Sequence, residues 1–223
     1  MILGIDTTGK KLKLGLALDN SIKLREVSDQ PKHAQHILPE ILALLKEHQK
    51  SLEDLSALAF SQGPGSFTGL RIGLGVVQGL AYGLNLPVIP VPTMSVLASV
   101  GGSRAGVDDV FVAVFAREDE VYGAFYRDAQ KRLPNLVEGP GVYTAKNLPA
   151  ITEGKWFLVG DGAYLFEKGA EGYQFHQTVV SEETDMQVLL QMAEALLNAG
   201  HAVSALEAGP LYVREMVARP QEK

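Results

Sequence analysis

Residues 61–83, SQGPGSFTGLRIGLGVVQGLAYG, carry seven of the chain's 23 glycines. The stretch reads as the end of an apolar strand, a glycine-rich turn and then a helix, the arrangement in which phosphate-binding loops sit. A P-loop needs G-x-x-x-x-G-K-[ST], however, and the residues after Gly69 are Leu70 and Arg71. A dinucleotide fingerprint needs G-x-G-x-x-G, whereas Gly63, Gly65 and Gly69 leave a longer second gap and 89–93 supply no acidic residue. Ser66 does not lie in the G-x-S-x-G of a hydrolase nucleophile elbow either. The favoured reading over a phosphate cradle is a turn requiring unusual backbone angles, with Ser66 capping the helix.

Within the helix, Leu70, Leu74, Val77, Ala81 and Leu84 share one face, which suits packing on a sheet. Gly75, Gly79 and Gly83 recur along the opposite side, joined by Ile72 and Val76, and only Arg71, Gln78 and Tyr82 form a polar stripe. Each interior glycine costs about 0.5–1 kcal/mol of helix stability relative to alanine. Such a row makes sense where another helix approaches closely, as small-residue rows permit. A helical segment at 33–48 precedes it, with Pro39 expected in the first turn or at a kink. Its apolar residues Ile37, Leu38, Ile41, Leu42, Leu44 and Leu45 span about 160°, wider than the ~100° stripe of a one-sided helix. The pair has surface left for a partner, with His36, Ile41, Leu45, Phe67, Arg71, Ile72, Gly75, Val76, Gly79 and Gly83 as candidate contacts.

Further out, MILGID, LKLGLAL and IKLREVS form a strand meander broken by the turns TTGKK and DNS. SALAF and PVIPV add strands, and a helix starts at Thr93. The second half opens alike: DVFVAVFA, EVYGAFYR and a weaker strand around PNLVEG, then KWFLVGDGA and an amphipathic helix over 183–200 that stops at Gly200. Two halves opening on a meander imply a duplicated α/β lobe, with the boundary in 101–109 and lobes at 1–103 and 104–223.

Composition narrows the function. With 223 residues and 46% apolar content a substantial core can form. Proline and glycine interrupt the longest uncharged apolar run, near 72–98, so it is not a membrane span. The start reads directly as a strand, without the basic region and cleavage site of a signal peptide. No cysteine is present, which removes disulfides and thiolate chemistry. A net charge of −6 with scattered Lys and Arg argues against autonomous nucleic-acid binding, which depends on phosphate neutralisation.

Three clusters could carry chemistry. Asp6, Thr7 and Thr8, where the first strand meets a turn, suit either phosphate and metal contact or closure of a hairpin by side-chain bonds. His33 and His36 with Glu40 have metal-compatible spacing but no Glu between the histidines, so a helix surface meeting a partner is favoured. VGDGAY, 159–164, could border an adenosine or form a plain turn. An actin-fold ATPase or kinase using Asp6, and more distantly a metallopeptidase, are the enzymatic alternatives.

ILGIDTT, HAQHILPEI, GPGSFTGLRIGLGVVQGLA and the late GPLYVREMVA, in that order along the whole chain, resemble the bacterial TsaB (YeaZ) family of tRNA threonylcarbamoyladenosine biosynthesis. The resemblance implies an actin-like ATPase-superfamily fold of two RNase H-like lobes. It implies a cytoplasmic, non-catalytic subunit that binds and activates the transferase TsaD, works with the ATPase TsaE, self-pairs when isolated and meets tRNA only through the complex. No cofactor or metal is expected on this chain alone; ATP and Mg are expected in the complex. The Asp6 turn would then be vestigial: VFAREDE offers no Asp-x-Gly for the superfamily's second phosphate turn, and the histidines lack the transferase's metal-binding aspartate.

Overall fold

The computed structural model describes residues 1–19, 21–27, 33–151, 155–170, 173, 175, 178–179 and 183–214. Residues 215–218 of the late motif and the side chain of His33 lie outside this set. Strands β1 (Ile2–Asp6), β2 (Leu12–Leu18) and β3 (Ser21–Val27) form the antiparallel meander, and β4 (Ala57–Ser61) and β5 (Val88–Val91) add in parallel. The sheet order is β3-β2-β1-β4-β5. The second sheet repeats it: β6 (Val110–Arg117), β7 (Glu120–Arg127) and β8 (Asn135–Tyr143) are antiparallel, and β9 (Phe157–Val159) and β10 (Thr178–Val179) add in parallel beyond β6. The duplication is therefore one of topology. The segment around PNLVEG, weak as a sequence signal, is a full nine-residue edge strand.

Alternation along the strands sorts residues by size as well as polarity. Leu3, Ile5, Leu14, Leu58 and Phe60 face α1 (His33–Glu47) and α2 (Phe67–Leu84). The intervening positions are small. Ala17, Ala57 and Ala59 pack on α4 (Met186–Asn198), and a Cβ added to Gly4 or Gly15 would lie 2.7 Å from Met186 or Leu190 atoms. α4 therefore rests almost on the backbone of the first sheet. α3 (Thr93–Ala105) turns Val96 and Val100 toward α4, and Met94, Leu97 and Ala98 toward Val110, Val112 and Ala124 of the second sheet. The outer face of that sheet is sealed by aromatic side chains: Phe111 stacks on Phe125 at 4.3 Å and meets Phe166 edge-on at 5.2 Å.

Pro39 sits inside α1, past its first turn. The division at 103/104 is a cut in chain order, not in space, because α4 covers the first sheet and α3 bridges the two. After α4 the chain also stays with the first lobe: Val203 pairs with Val88, and Leu211 N–H donates to the Gln62 carbonyl at 2.8 Å.

Candidate functional site

The glycine-rich turn is shaped by what it packs against. Gly63 adopts φ +103°, and its N–H donates to Thr93 Oγ1 at 3.0 Å. Ser66 caps α2 by accepting from Gly69 N–H at 3.2 Å, as the sequence suggested. The β1–β2 turn then fills the space a phosphate would need. Thr7 Oγ1 donates to the Gly69 carbonyl at 2.7 Å, and a Cβ on Gly69 would lie 1.9 Å from the Thr7 carbonyl oxygen. A Cβ on Gly65 would meet Thr8 at 2.7 Å. These glycines admit the chain's own hairpin.

A cleft of about 620 Å³ opens beside this turn, bordered by Asp6, Lys10, Lys13, Phe115, Asp161 and Thr184 among others. Asp6 is buried, with Oδ1 accepting from Thr8 N–H at 2.8 Å and Thr8 Oγ1 at 2.6 Å, and Oδ2 from Thr184 Oγ1. Lys13 donates to the Thr184 carbonyl at 2.6 Å and pairs with Glu183 at 3.0 Å, which holds the Glu183 carboxyl below its ordinary range. These bonds tie Asp6 to its own turn and to the segment ahead of α4. VGDGAY is likewise a turn against β6: a Cβ on Gly160 would fall 2.3 Å from the Ala113 carbonyl, and Asp161 accepts from Phe115 N–H at 2.8 Å.

The outer face of α1 and α2 is different. A Cβ on Gly75, Gly79 or Gly83 would meet nothing within 4 Å. Leu38, Arg71, Ile72, Gly75, Val76, Gly79 and Leu80 line an open, mostly apolar groove of about 420 Å³ between the two helices. The glycine row is not covered by α1. Arg71 lies 3.3 Å over the Phe67 ring and 5.5 Å from the Tyr212 ring, with both rings partly exposed.

Two candidate contacts need correction. Ile41 and Leu45 are 0% and 1% exposed, packed into the first lobe's own core, and are not available to a partner. The exposed positions are Leu38 and Leu42, at 46% and 53%. The sequence arc was too wide to choose between them, since either stripe could have faced the sheet. His36 lines a separate open cavity with Arg25, Glu40 and Glu47 beside β3. Arg25 pairs with both Glu40, at 2.5 Å, and Glu47, which raises its pKa above the usual arginine value. Among the described residues no group of three or more His, Asp or Glu could hold a metal. Tyr212, missed by sequence reading, joins the face through a late segment without periodicity.

Two mixed five-stranded sheets of one strand order, with helices between and outside them, define an actin-like ATPase-type α/β protein. The profile of the family described as TsaD, tRNA N6-adenosine threonylcarbamoyltransferase, matches residues 27–210. The tRNA threonylcarbamoyladenosine biosynthesis protein TsaB of Escherichia coli (strain K12) is 33% identical, over 97% of this chain and 96% of its own. TsaB of Haemophilus influenzae is 27% identical over 97% and 94% of the two chains. YeaZ from Pseudomonas aeruginosa superposes with a TM-score of 0.84 at 31% identity, covering 95% of this chain and 98% of that one. The chain belongs to the TsaB (YeaZ) proteins, within the wider family that the transferase description covers.

The actin-like fold implies a metal-bound nucleotide in the cleft, and Asp6 presents no unengaged oxygen to a metal ion there. Both oxygens of Asp6 are engaged by hydroxyl and amide donors, and the floor carries the Lys13 ammonium. At the β6–β7 turn, Glu120 is paired with Arg117 at 2.9 Å and with Arg214.

Proposed function

We propose that this protein is a non-catalytic subunit in threonylcarbamoyladenosine formation at position 37 of tRNAs reading codons that begin with A, and that it binds and activates the transferase TsaD through α1 and α2. The relatives of matching length carry that pathway in their names. The observation that carries the docking reading is the open glycine row beside an apolar groove. A monomeric helix gains nothing from interior glycines that touch nothing, whereas a second helix could seat its backbone there. The transferase description matches this chain over most of its length, so TsaD is expected to offer a related helix pair. Covering Leu38, Leu42 and Phe67, each about half exposed, would contribute about 1 kcal/mol apiece.

In this reading TsaE joins the complex, isolated chains self-pair, tRNA is met through the complex in the cytoplasm, and ATP and Mg act there rather than on this chain. Co-expression with the same organism's TsaD tests it. Gly79→Leu should fold normally, because its side chain enters open space, and should abolish co-purification by overpacking the contact. Normal recovery of TsaD with that variant would remove the docking face from consideration.

A further inference from the structure

Resting on that docking reading, the geometry points to a carboxylate of the partner, seated on Arg71, as the feature that makes this face select a different chain over a second copy of its own. Arg71 is the single charged residue of α2, and between Leu55 and Val107 the sequence contains no Asp or Glu. Among the described residues it makes no ion pair or hydrogen bond; its contacts are the Phe67 and Tyr212 rings. The Phe67 ring lies against the guanidinium and the Tyr212 ring stands to one side, which holds the group in place while its N–H donors stay unpaired for a carboxylate in the guanidinium plane. An arginine held this way is pre-organised for a planar anion.

Among the described residues, those beside the groove supply no such anion. On α1, Glu40 and Glu47 are both taken by Arg25, on the side toward β3, while the groove side presents Leu38 and Leu42. Nearby Glu207 accepts from Ser204 N–H at 3.0 Å and Ser204 Oγ at 2.7 Å. Two copies placed groove to groove would bring two Arg71 side chains and, among the described residues, no free carboxylate to the contact. Docking withdraws the guanidinium from water, and an unpaired buried charge is costly. A self-pair therefore meets a penalty that a partner bearing Asp or Glu at this point escapes.

The test compares wild type, Arg71→Gln and Arg71→Lys for affinity to purified TsaD at low and high NaCl, and for self-association by sedimentation. Arg71→Gln is expected to weaken TsaD binding about tenfold or more and to flatten its salt dependence. It should leave self-association unchanged or stronger, and Arg71→Lys should keep most of the salt dependence. Equal affinity of Arg71→Gln and wild type for TsaD would overturn the inference, as would equal loss of both associations. Gly79→Leu, measured alongside, separates the two claims. If it abolishes binding while Arg71→Gln does not, the docking face stands and the carboxylate falls. If neither matters, the face itself is wrong.

Discussion

Glycines that look alike in the sequence do opposite things in this molecule. Gly69 is jammed against the Thr7 carbonyl, and Gly79 faces open space, ten residues on along one helix. Gly69→Ala should cost about 3 kcal/mol, because backbone rather than a flexible side chain must yield. Gly79→Ala should instead stabilise the isolated protein by about 0.5–1 kcal/mol through helix propensity. Thermal melts read the pair directly, as a fall and a small rise in Tm, at roughly 2–4 °C per kcal/mol for a chain of this size. The regular spacing of Gly75, Gly79 and Gly83 was legible in sequence because it repeats on one helical face. The role of Gly69 was not, since its neighbour Thr7 comes from 62 residues away. The same limit explains Ile41 and Leu45: periodicity names an apolar arc, and only packing decides which edge of it is covered.

At the scale of elements, the late segment 209–214 is the part to which sequence reading assigned a resemblance but no structure. It behaves as a strap. The Gly209 carbonyl accepts from Gln62 Nε2 at 3.2 Å, Leu211 N–H bonds Gln62, Tyr212 stands beside Phe67, and Arg214 donates to Glu120 in the second lobe. None of this has a period, so only the meanders, helices and their stops could be read beforehand. Hydrogen bonds from Arg117, then Arg214, hold the Glu120 carboxyl below its ordinary value. A carboxyl depressed in the folded state stabilises it fully above the unfolded value, about 4.3, and loses that contribution as pH falls through the folded value. Glu120→Gln should therefore lower Tm at neutral pH, with the gap to wild type closing as the buffer is taken below pH ~4. A gap that stays constant would mean the strap is not held by this charge.

For the whole molecule, the duplicated topology was visible from two meanders, while the crossing of α3 and α4 between lobes was not. Helical periodicity shows that α4 has an apolar face and is silent on which sheet it covers. The clue lay in the small residues Gly4, Gly15, Ala17, Ala57 and Ala59, whose common purpose appears once the strands are registered. A fragment comprising 1–103 lacks α4 and would expose Ile2, Ile89 and Val91 along with those small positions. It is expected to be insoluble or to lack dispersed amide resonances, whereas the full chain should melt in one cooperative transition. A well-dispersed spectrum from the fragment would show that the first lobe stands alone.

The return of the chain to its first lobe also sets an order in time. α1 and α2 precede in sequence both α4, which backs their sheet, and Tyr212, which stands beside Arg71. Until residues through Tyr212 are in place, that surface lacks the helix behind its sheet and the ring beside Arg71. On the docking reading proposed above, a product cut short before α4 would lack the support of that face and would not co-purify with TsaD.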